Sequence, residues 1–200
     1  MRSICGGGRA AFLGSAFAAL VLSGCASASV RFYTLGSTAT PGSEPALQDK
    51  VLVGPVTVPS SVDRPQFVVQ VESNRVDIDE FHIWAAPLAE SIARTVAGDL
   101  TTLLGDHNVV VAPAANFAAN WRVGIDVQRF DSIPGDHVAI DAVWSVTPAA
   151  APAKARTGRT QAEEKVAGAD YAAIAAAHSR ALASVSRDIA LAIRAGTKTK

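Results

Sequence analysis

Two stretches of alternating polarity constrain this chain more than any other feature. Trp121, Val123, Ile125 and Val127 are interleaved with Arg122, Gly124 and Asp126, and Val138, Ile140, Ala142, Trp144 and Val146 repeat the spacing shortly afterwards. A pleated strand sends successive side chains to opposite sides, so each stretch predicts a strand, the first with a clearly wet second face. Between them Ile133-Pro134-Gly135-Asp136 places Pro and then Gly where a type II turn wants them, and the pair reads as a hairpin. The run Lys154 to Lys165 is too polar for pattern alone to assign, with a third strand at the edge of this meander as one reading.

Other elements follow from the same rules. Arg31 to Leu35 is a short strand candidate, and the Ser, Thr, Pro and Gly of the segment from Gly36 to Glu44 mark a loop. Val51 to Val58 reads as a strand in which Gly54 and Pro55 signal a bulge or an edge position. In Gln66 to Val71 the residues Phe67, Val69 and Val71 share a face, and Arg75 to Ile78 pairs back across a loop at Glu72-Ser73-Asn74. Asp79 is placed to cap a helical turn containing Phe81, His82 and Trp84. Pro87 suits the first turn of a helix whose Leu88, Ile92, Val96, Leu100 and Leu103 form one apolar stripe. Glu90, Arg94 and Asp99 lie off that stripe, and Gly105 ends the helix. Val109 to Val111 is a short buried strand. From Ala169 a second stripe runs through Tyr171, Ile174, His178, Leu182, Val185, Ile189 and Ile193, before a frayed tail from Gly196 to Lys200. Two long helices against a mostly antiparallel sheet make a single α+β, two-layer domain.

The N-terminal part has a different purpose. Arg2 and Arg9 precede an almost uncharged apolar run from Ala10 to Leu22, then Ser23, Gly24 and Cys25. This is the pattern of a secretory signal ending in a bacterial lipobox. The run is roughly 13 residues, short of the roughly 20 that span a bilayer. Small residues let an extended backbone enter a peptidase cleft, and the Cys25 thiol can carry a diacylglycerol thioether; cleavage then frees an amine for an N-acyl chain. Two or more chains anchor stably where one is marginal. No Asp follows at Ala26, so the expected home is the periplasmic leaflet of an outer membrane. The expected division is a signal peptide over 1–24, a lipidated tether over 25–30, a domain over 31–196 and a tail over 197–200. About five residues part Cys25 from the first strand, a reach of at most roughly 17 Å.

Removing 24 of 200 residues leaves 176, enough for one domain with a real core. It also removes two arginines, leaving 16 basic against 18 acidic side chains and a formal charge of −2. Nucleic-acid binding, which needs a clustered basic face, gains no support. Cys5 leaves with the signal and Cys25 is consumed by lipid, so no disulfide forms within the mature chain.

Catalytic patterns are missing from the sequence: it has no His-Glu-x-x-His, no Gly-x-Ser-x-Gly and no glycine-rich phosphate loop. Asp136, His137 and Asp141 are spread by their turn and strand, which disfavours a metal site. His178, on an apolar stripe, reads as a core residue. The expected protein is not an enzyme and carries no cofactor beyond the covalent lipid on Cys25.

The runs Val62-Asp63-Arg64-Pro65-Gln66-Phe67-Val68-Val69, Asn74-Arg75-Val76 and Glu80-Phe81-His82-Ile83-Trp84-Ala85-Ala86-Pro87-Leu88-Ala89 resemble the ABC-type transport auxiliary lipoproteins, the family of the paraquat-inducible protein C type. The likeness extends to Phe32-Tyr33-Thr34-Leu35, Ser179-Arg180-Ala181-Leu182-Ala183 and Ser186-Arg187-Asp188-Ile189, covering nearly the whole mature chain in order. The resemblance implies an outer-membrane lipoprotein working beside a mammalian-cell-entry (MCE) type system that moves lipid between two membranes. Its implied partner is an MCE-family periplasmic protein, and a homo-oligomeric ring is among the assemblies the resemblance allows. The alternative is an outer-membrane assembly or structural lipoprotein that binds a barrel protein or the cell wall. Asp63, Arg64, Pro65, Gln66, Arg75, Phe81, His82, Trp84 and Pro87 form the candidate motif, serving either docking or internal packing. Asp63 and Arg64 sit in a loop stiffened by Pro59 and Pro65, suited to docking or to an internal Arg64 salt bridge.

Overall fold

The computed structural model describes residues 29–105, 108–168 and 170–197. The expected signal peptide, Cys25, His107 and the last three residues of the tail lie outside them. The chain runs β1 (Arg31–Tyr33), β2 (Val51–Thr57), β3 (Gln66–Glu72), β4 (Arg75–Trp84), α1 (Leu88–Leu104), β5 (Val109–Val111), β6 (Trp121–Ser132), β7 (His137–Pro148), β8 (Arg156–Lys165) and α2 (Tyr171–Thr197).

The hairpin of the two alternating stretches forms the centre. Trp121 pairs with Pro148 and Ser132 with Val138 along one antiparallel ladder, and β8 adds to the outer side of β7 as the expected edge strand. Gly135 closes the turn at φ 74°, with the Asp136 amide donating to the Ile133 carbonyl at 3.1 Å. On the other side of β6 lie β2 and then β5, both parallel, giving the five-stranded order β5-β2-β6-β7-β8. Gly54 and Pro55 make the expected bulge, since the β2–β6 register shifts between Val53 and Val56, but β2 is an interior strand rather than an edge. Val109 to Val111, expected to be buried, is half-buried because β5 takes that edge.

Both helices cover one face of this sheet, and their stripes point into it. Leu88, Ile92, Val96 and Leu100 are buried as expected, and the stripe ends on fully buried Leu104, with Leu103 only partly covered. Gly105 ends α1 in the left-handed conformation. Arg194 of α2 donates to the carbonyls of Leu103 at 2.9 Å and Pro45 at 2.7 Å, which caps a helix end whose last turn holds no basic residue of its own. Ile174, His178, Leu182, Val185, Ile189 and Ile193 are buried along α2, alanines filling the spaces between. Gly196 and Thr197, expected to fray, complete the helix, Thr197 bonding back to the Ile193 carbonyl at 3.1 Å.

β1, β4 and β3 form a separate three-stranded sheet, parallel between β1 and β4 and antiparallel between β4 and β3. The domain is therefore α+β as expected, with its strands divided between two sheets and its longest ladders antiparallel. The helical turn expected at Phe81 to Trp84 is instead the second half of β4. The capping chemistry is present without the helix: Asp79 Oδ1 accepts from the Phe81 amide at 2.8 Å and the His82 amide at 3.1 Å. The β3–β4 register jumps here, from Phe67 opposite Asp79 to Gln66 opposite Ile83. A bulge frees amides from the ladder, and a carboxylate two or three residues upstream satisfies them as it would at a helix start.

Asp99, expected off the apolar stripe, has no solvent exposure. Its Oδ1 accepts from the Ser37 hydroxyl at 2.7 Å and the amides of Thr38 and Ala39 at 2.9 and 3.0 Å. The loop after β1 folds over α1 to make these bonds, so tertiary contact rather than helix periodicity buries the carboxylate.

Candidate functional site

The small sheet meets the main core through rings. Tyr33, Phe67 and Trp84 stand on its inner face, Phe67 stacking on Trp84 at 4.0 Å and meeting Tyr33 edge-on at 5.3 Å. Trp84 reaches Phe130 of β6 at 6.3 Å, and Phe130 stacks on His178 of α2 at 3.8 Å. The chain of rings ties β1, β3, β4, β6 and α2 through stacked and edge-on pairs.

A polar group sits beside them. Tyr171, the first residue of α2, lies with its ring on His82 at 4.1 Å and donates its hydroxyl to Asp79 Oδ2 at 2.9 Å. His82 Nδ1 is 3.0 Å from Asp79 Oδ1. Burial raises the Asp79 pKa, but the neighbouring His82, the Phe81 amide and the Tyr171 hydroxyl outweigh it and hold the carboxyl at about 2. Burial and the same carboxylate push the Tyr171 phenol above its ordinary range. Asp79 thus joins β4 to α2 through the Tyr171 hydroxyl, while His82 Nδ1, buried and close to Oδ1, makes no hydrogen bond of its own.

His178 is the core residue its stripe predicts. Burial lowers its pKa to about 3, so the ring is neutral, and Nε2 lies 2.8 Å from the Ser132 hydroxyl. Around Asp136, His137 and Asp141 the contacts separate: His137 Nδ1 faces Asp136 Oδ2 at 3.1 Å, whereas Asp141 is held by both Arg159 and Gln161. Among the described residues no group of three His, Cys, Asp or Glu side chains is placed to hold a metal ion.

The candidate motif is partly gathered by the fold. Pro65 and Trp84 meet directly, the Trp84 amide donating to the Pro65 carbonyl at 2.7 Å, and Gln66 bonds Glu80 at 3.2 Å. Trp84 is core, His82 is half-buried against Tyr171, and Phe81 is exposed. Asp63 and Arg64 are exposed in a loop held by amides of Val62 and Asp63 donating to the Pro59 carbonyl at 3.0 and 3.1 Å. Arg64 makes no ion pair among the described residues; backbone bonds hold the loop. Arg75 is at the far tip of the hairpin, paired with Glu72 at 3.2 Å, and Pro87 precedes α1, its carbonyl receiving the Ser91 amide at 2.9 Å. The bond from Tyr171 to Asp79 joins residues far apart in the chain. The only available clue was that an Asp lies two and three residues before Phe81 and His82.

On the outer face of the small sheet β1 and β4 present apolar side chains, and β3 sets Val68 between Gln66 and Gln70. The register sets Ile78 opposite Val68 and Val76 opposite Gln70 on the side away from Phe67 and Val69, and Phe32 beside Ile83 on the side away from Tyr33 and Trp84. Phe32, Val76 and Ile78 are 66%, 54% and 43% exposed. The outer face of the large sheet contrasts with it, carrying Arg122, Asp126, Arg159 and Gln161. Beyond the Trp121 end of β6, away from the small sheet, a cleft of about 370 Å³ is lined by Trp121, Pro148, Lys154 and Arg156.

Comparison with known proteins places this fold. The family model of the ABC-type transport auxiliary lipoprotein component matches residues 33–190. No curated protein matches the chain significantly. A crystal structure of an uncharacterized protein superposes with a TM-score of 0.67 at 20% identity, covering 82% of this chain and 99% of its own. A protein from Xanthomonas campestris gives 0.69 at 18% identity, covering 84% and 98%. These likenesses show a shared fold across the domain. On the strength of the family match, which spans β1 to the last turns of α2, the chain belongs to the ABC-type transport auxiliary lipoprotein component family.

Proposed function

We propose that the protein is an outer-membrane-anchored periplasmic lipoprotein, acylated on Cys25, that serves without catalysis of its own as the docking subunit of an MCE-type intermembrane lipid transport system supporting membrane integrity. The observation that carries this reading is the family match beginning at Tyr33, eight residues after a cysteine with the surroundings of a lipobox. No helix of the described residues is long and apolar enough to cross a membrane; in this reading the attachment is the lipid on Cys25. At the ring junction Asp79 is taken up by the Tyr171 hydroxyl and by the Phe81 and His82 amides, which fits a binding scaffold better than a reaction centre.

The test is co-purification of the full-length lipoprotein from its native membranes with a tagged MCE protein, alongside the detergent tolerance of a deletion strain. Co-elution with a hypersensitive strain supports the proposal. Failure to co-elute, together with wild-type tolerance, overturns it. Crosslinking in cells that captures an outer-membrane barrel or the cell wall in place of the MCE protein would favour the alternative assembly role.

A further inference from the structure

Among the described residues eight large apolar side chains are exposed, and five of them, Val30, Phe32, Val76, Ile78 and Phe81, lie on β1 and β4 or lead into β1. Such a cluster marks a surface that meets something other than water. We infer that the outer face of the β1-β4-β3 sheet rests on the lipid surface of the membrane that holds Cys25, making a second attachment beside the acyl chains. This rests on Cys25 being acylated, as proposed above.

The position of the anchor selects lipid over a protein occupant. The five residues between Cys25 and Arg31 reach at most roughly 17 Å, and Arg31 opens β1, a strand of this same sheet. Val30 and Phe32 bracket that entry and are 45% and 66% exposed. A sheet tethered so closely has the bilayer as its nearest neighbour. Its two edges, β1 and β3, carry unpaired backbone groups, so the sheet lies on the headgroup and acyl boundary rather than crossing it.

Charge points the same way. Around the face both signs occur, with Arg31, Arg64 and Arg75 against Glu72, Asp77 and Glu80. The contact is therefore apolar, and salt leaves it in place, unlike the binding of a basic patch to anionic lipid. With the small sheet on the membrane, the cleft at the Trp121 end of β6 faces away from it.

The mature chain offers no free thiol once Cys25 is acylated, so single cysteines report cleanly. Full-length lipidated protein carrying Ile78→Cys or Val76→Cys is labelled with an environment-sensitive fluorophore in vesicles of phosphatidylethanolamine and phosphatidylglycerol. Val143→Cys and Leu191→Cys, at the two exposed apolar positions outside the small sheet, are the references. The expected result is blue-shifted emission at 76 and 78 that is lost on adding spin-labelled lipid and survives high salt, with watery emission at 143 and 191. Watery emission at all four overturns the inference. So does blue-shifted emission at 76 and 78 that lipid-borne spin labels fail to quench, since a second copy or another protein would then cover the face. Mass spectrometry of the same preparation reports acylation of Cys25. Its absence overturns the inference through its premise, whereas failure of MCE docking alone leaves it standing.

Discussion

Asp99 of α1 and Ser186 of α2 are bonded through the core, the serine hydroxyl donating to Oδ2 at 2.9 Å where neither residue is exposed. The other carboxylate oxygen gathers the loop at Ser37, Thr38 and Ala39. One side chain thus joins both helices to the segment that follows β1. That segment is further held by Ser179, whose hydroxyl accepts from the Gly36 amide at 3.1 Å and whose carbonyl accepts from the Thr38 hydroxyl at 3.2 Å.

Replacing Asp99 by Ala strips these donors of their acceptor. Leaving buried polar groups unmatched costs about 3 kcal/mol, which lowers the urea midpoint by about 1.5 M for a domain of this size. Asp99→Asn keeps one acceptor oxygen and is expected to cost about 1 to 2 kcal/mol.

His178 makes stability depend on pH in a window of its own. The unfolded ring takes up a proton below 6.5 while the folded ring stays neutral to about 3. Its contribution is complete above pH 6.5 and is lost as the pH falls towards 3. Between pH 6.5 and 4 the urea-derived stability should drop by about 1 kcal/mol per pH unit. In His178→Gln that slope is expected to flatten.

Asp79 acts lower on the scale. Its folded pKa of about 2 lies below the unfolded 3.8, so the stability it supplies is present above pH 3.8 and disappears as the pH falls through 2. Asp141, lowered to about 2 chiefly by its bond to Arg159, behaves likewise. Between pH 4 and 2, Asp79→Asn should show a smaller loss of stability than the wild type, and the double variant with Asp141→Asn a smaller one still. Tyr171→Phe, which removes the bond from α2 to β4, is expected to cost about 1 kcal/mol at neutral pH.

Trp144 crosses directly over Gly158 of β8, so close that a Cβ there would overlap the indole. The same indole donates to the Thr160 hydroxyl at 2.9 Å, which in turn donates to Asp188 of α2 at 2.6 Å. Gly158→Val therefore displaces the ring and breaks a link between sheet and helix. A loss of about 2 to 3 kcal/mol is expected from overpacking, with a change in near-ultraviolet circular dichroism reporting the moved tryptophan.

Tether length is testable in cells. If Cys25 carries the proposed lipid and holds the domain close against the membrane, a long flexible linker inserted after Ser29 should leave acylation intact while detergent tolerance falls. Unchanged tolerance would make the short spacing incidental to function.

Much of the fold was legible because it is written in local period. Alternation announced β6 and β7, Pro134 and Gly135 their turn, and stripes at three and four residues announced α1 and α2 with Gly105 as a stop. Where local rules left a choice, distant partners decided. Asp79 chose its acceptor role from the backbone beside it, yet whether Phe81 to Trp84 became helix or strand depended on pairing with β1 and β3. Asp99 looked like a surface residue of α1 because nothing near it in sequence shows that the Ser37 loop covers it. The candidate motif was legible as a run of residues and not as a place: Trp84 entered the core, Phe81 stayed outside, and Arg75 went to the opposite tip of the same hairpin.

The sequence by itself determined the two helices, the β6–β7 hairpin and the core position of His178. These depend on interactions within a few residues, or on the burial of an apolar stripe whatever it meets. Tertiary structure alone decided that β2 lies between β5 and β6, that the strands divide into two sheets, and that Phe32, Val76 and Ile78 are left exposed on one of them. Parallel pairing and the covering of a face join residues far apart in the chain, and no local pattern encodes which distant segment arrives to make them.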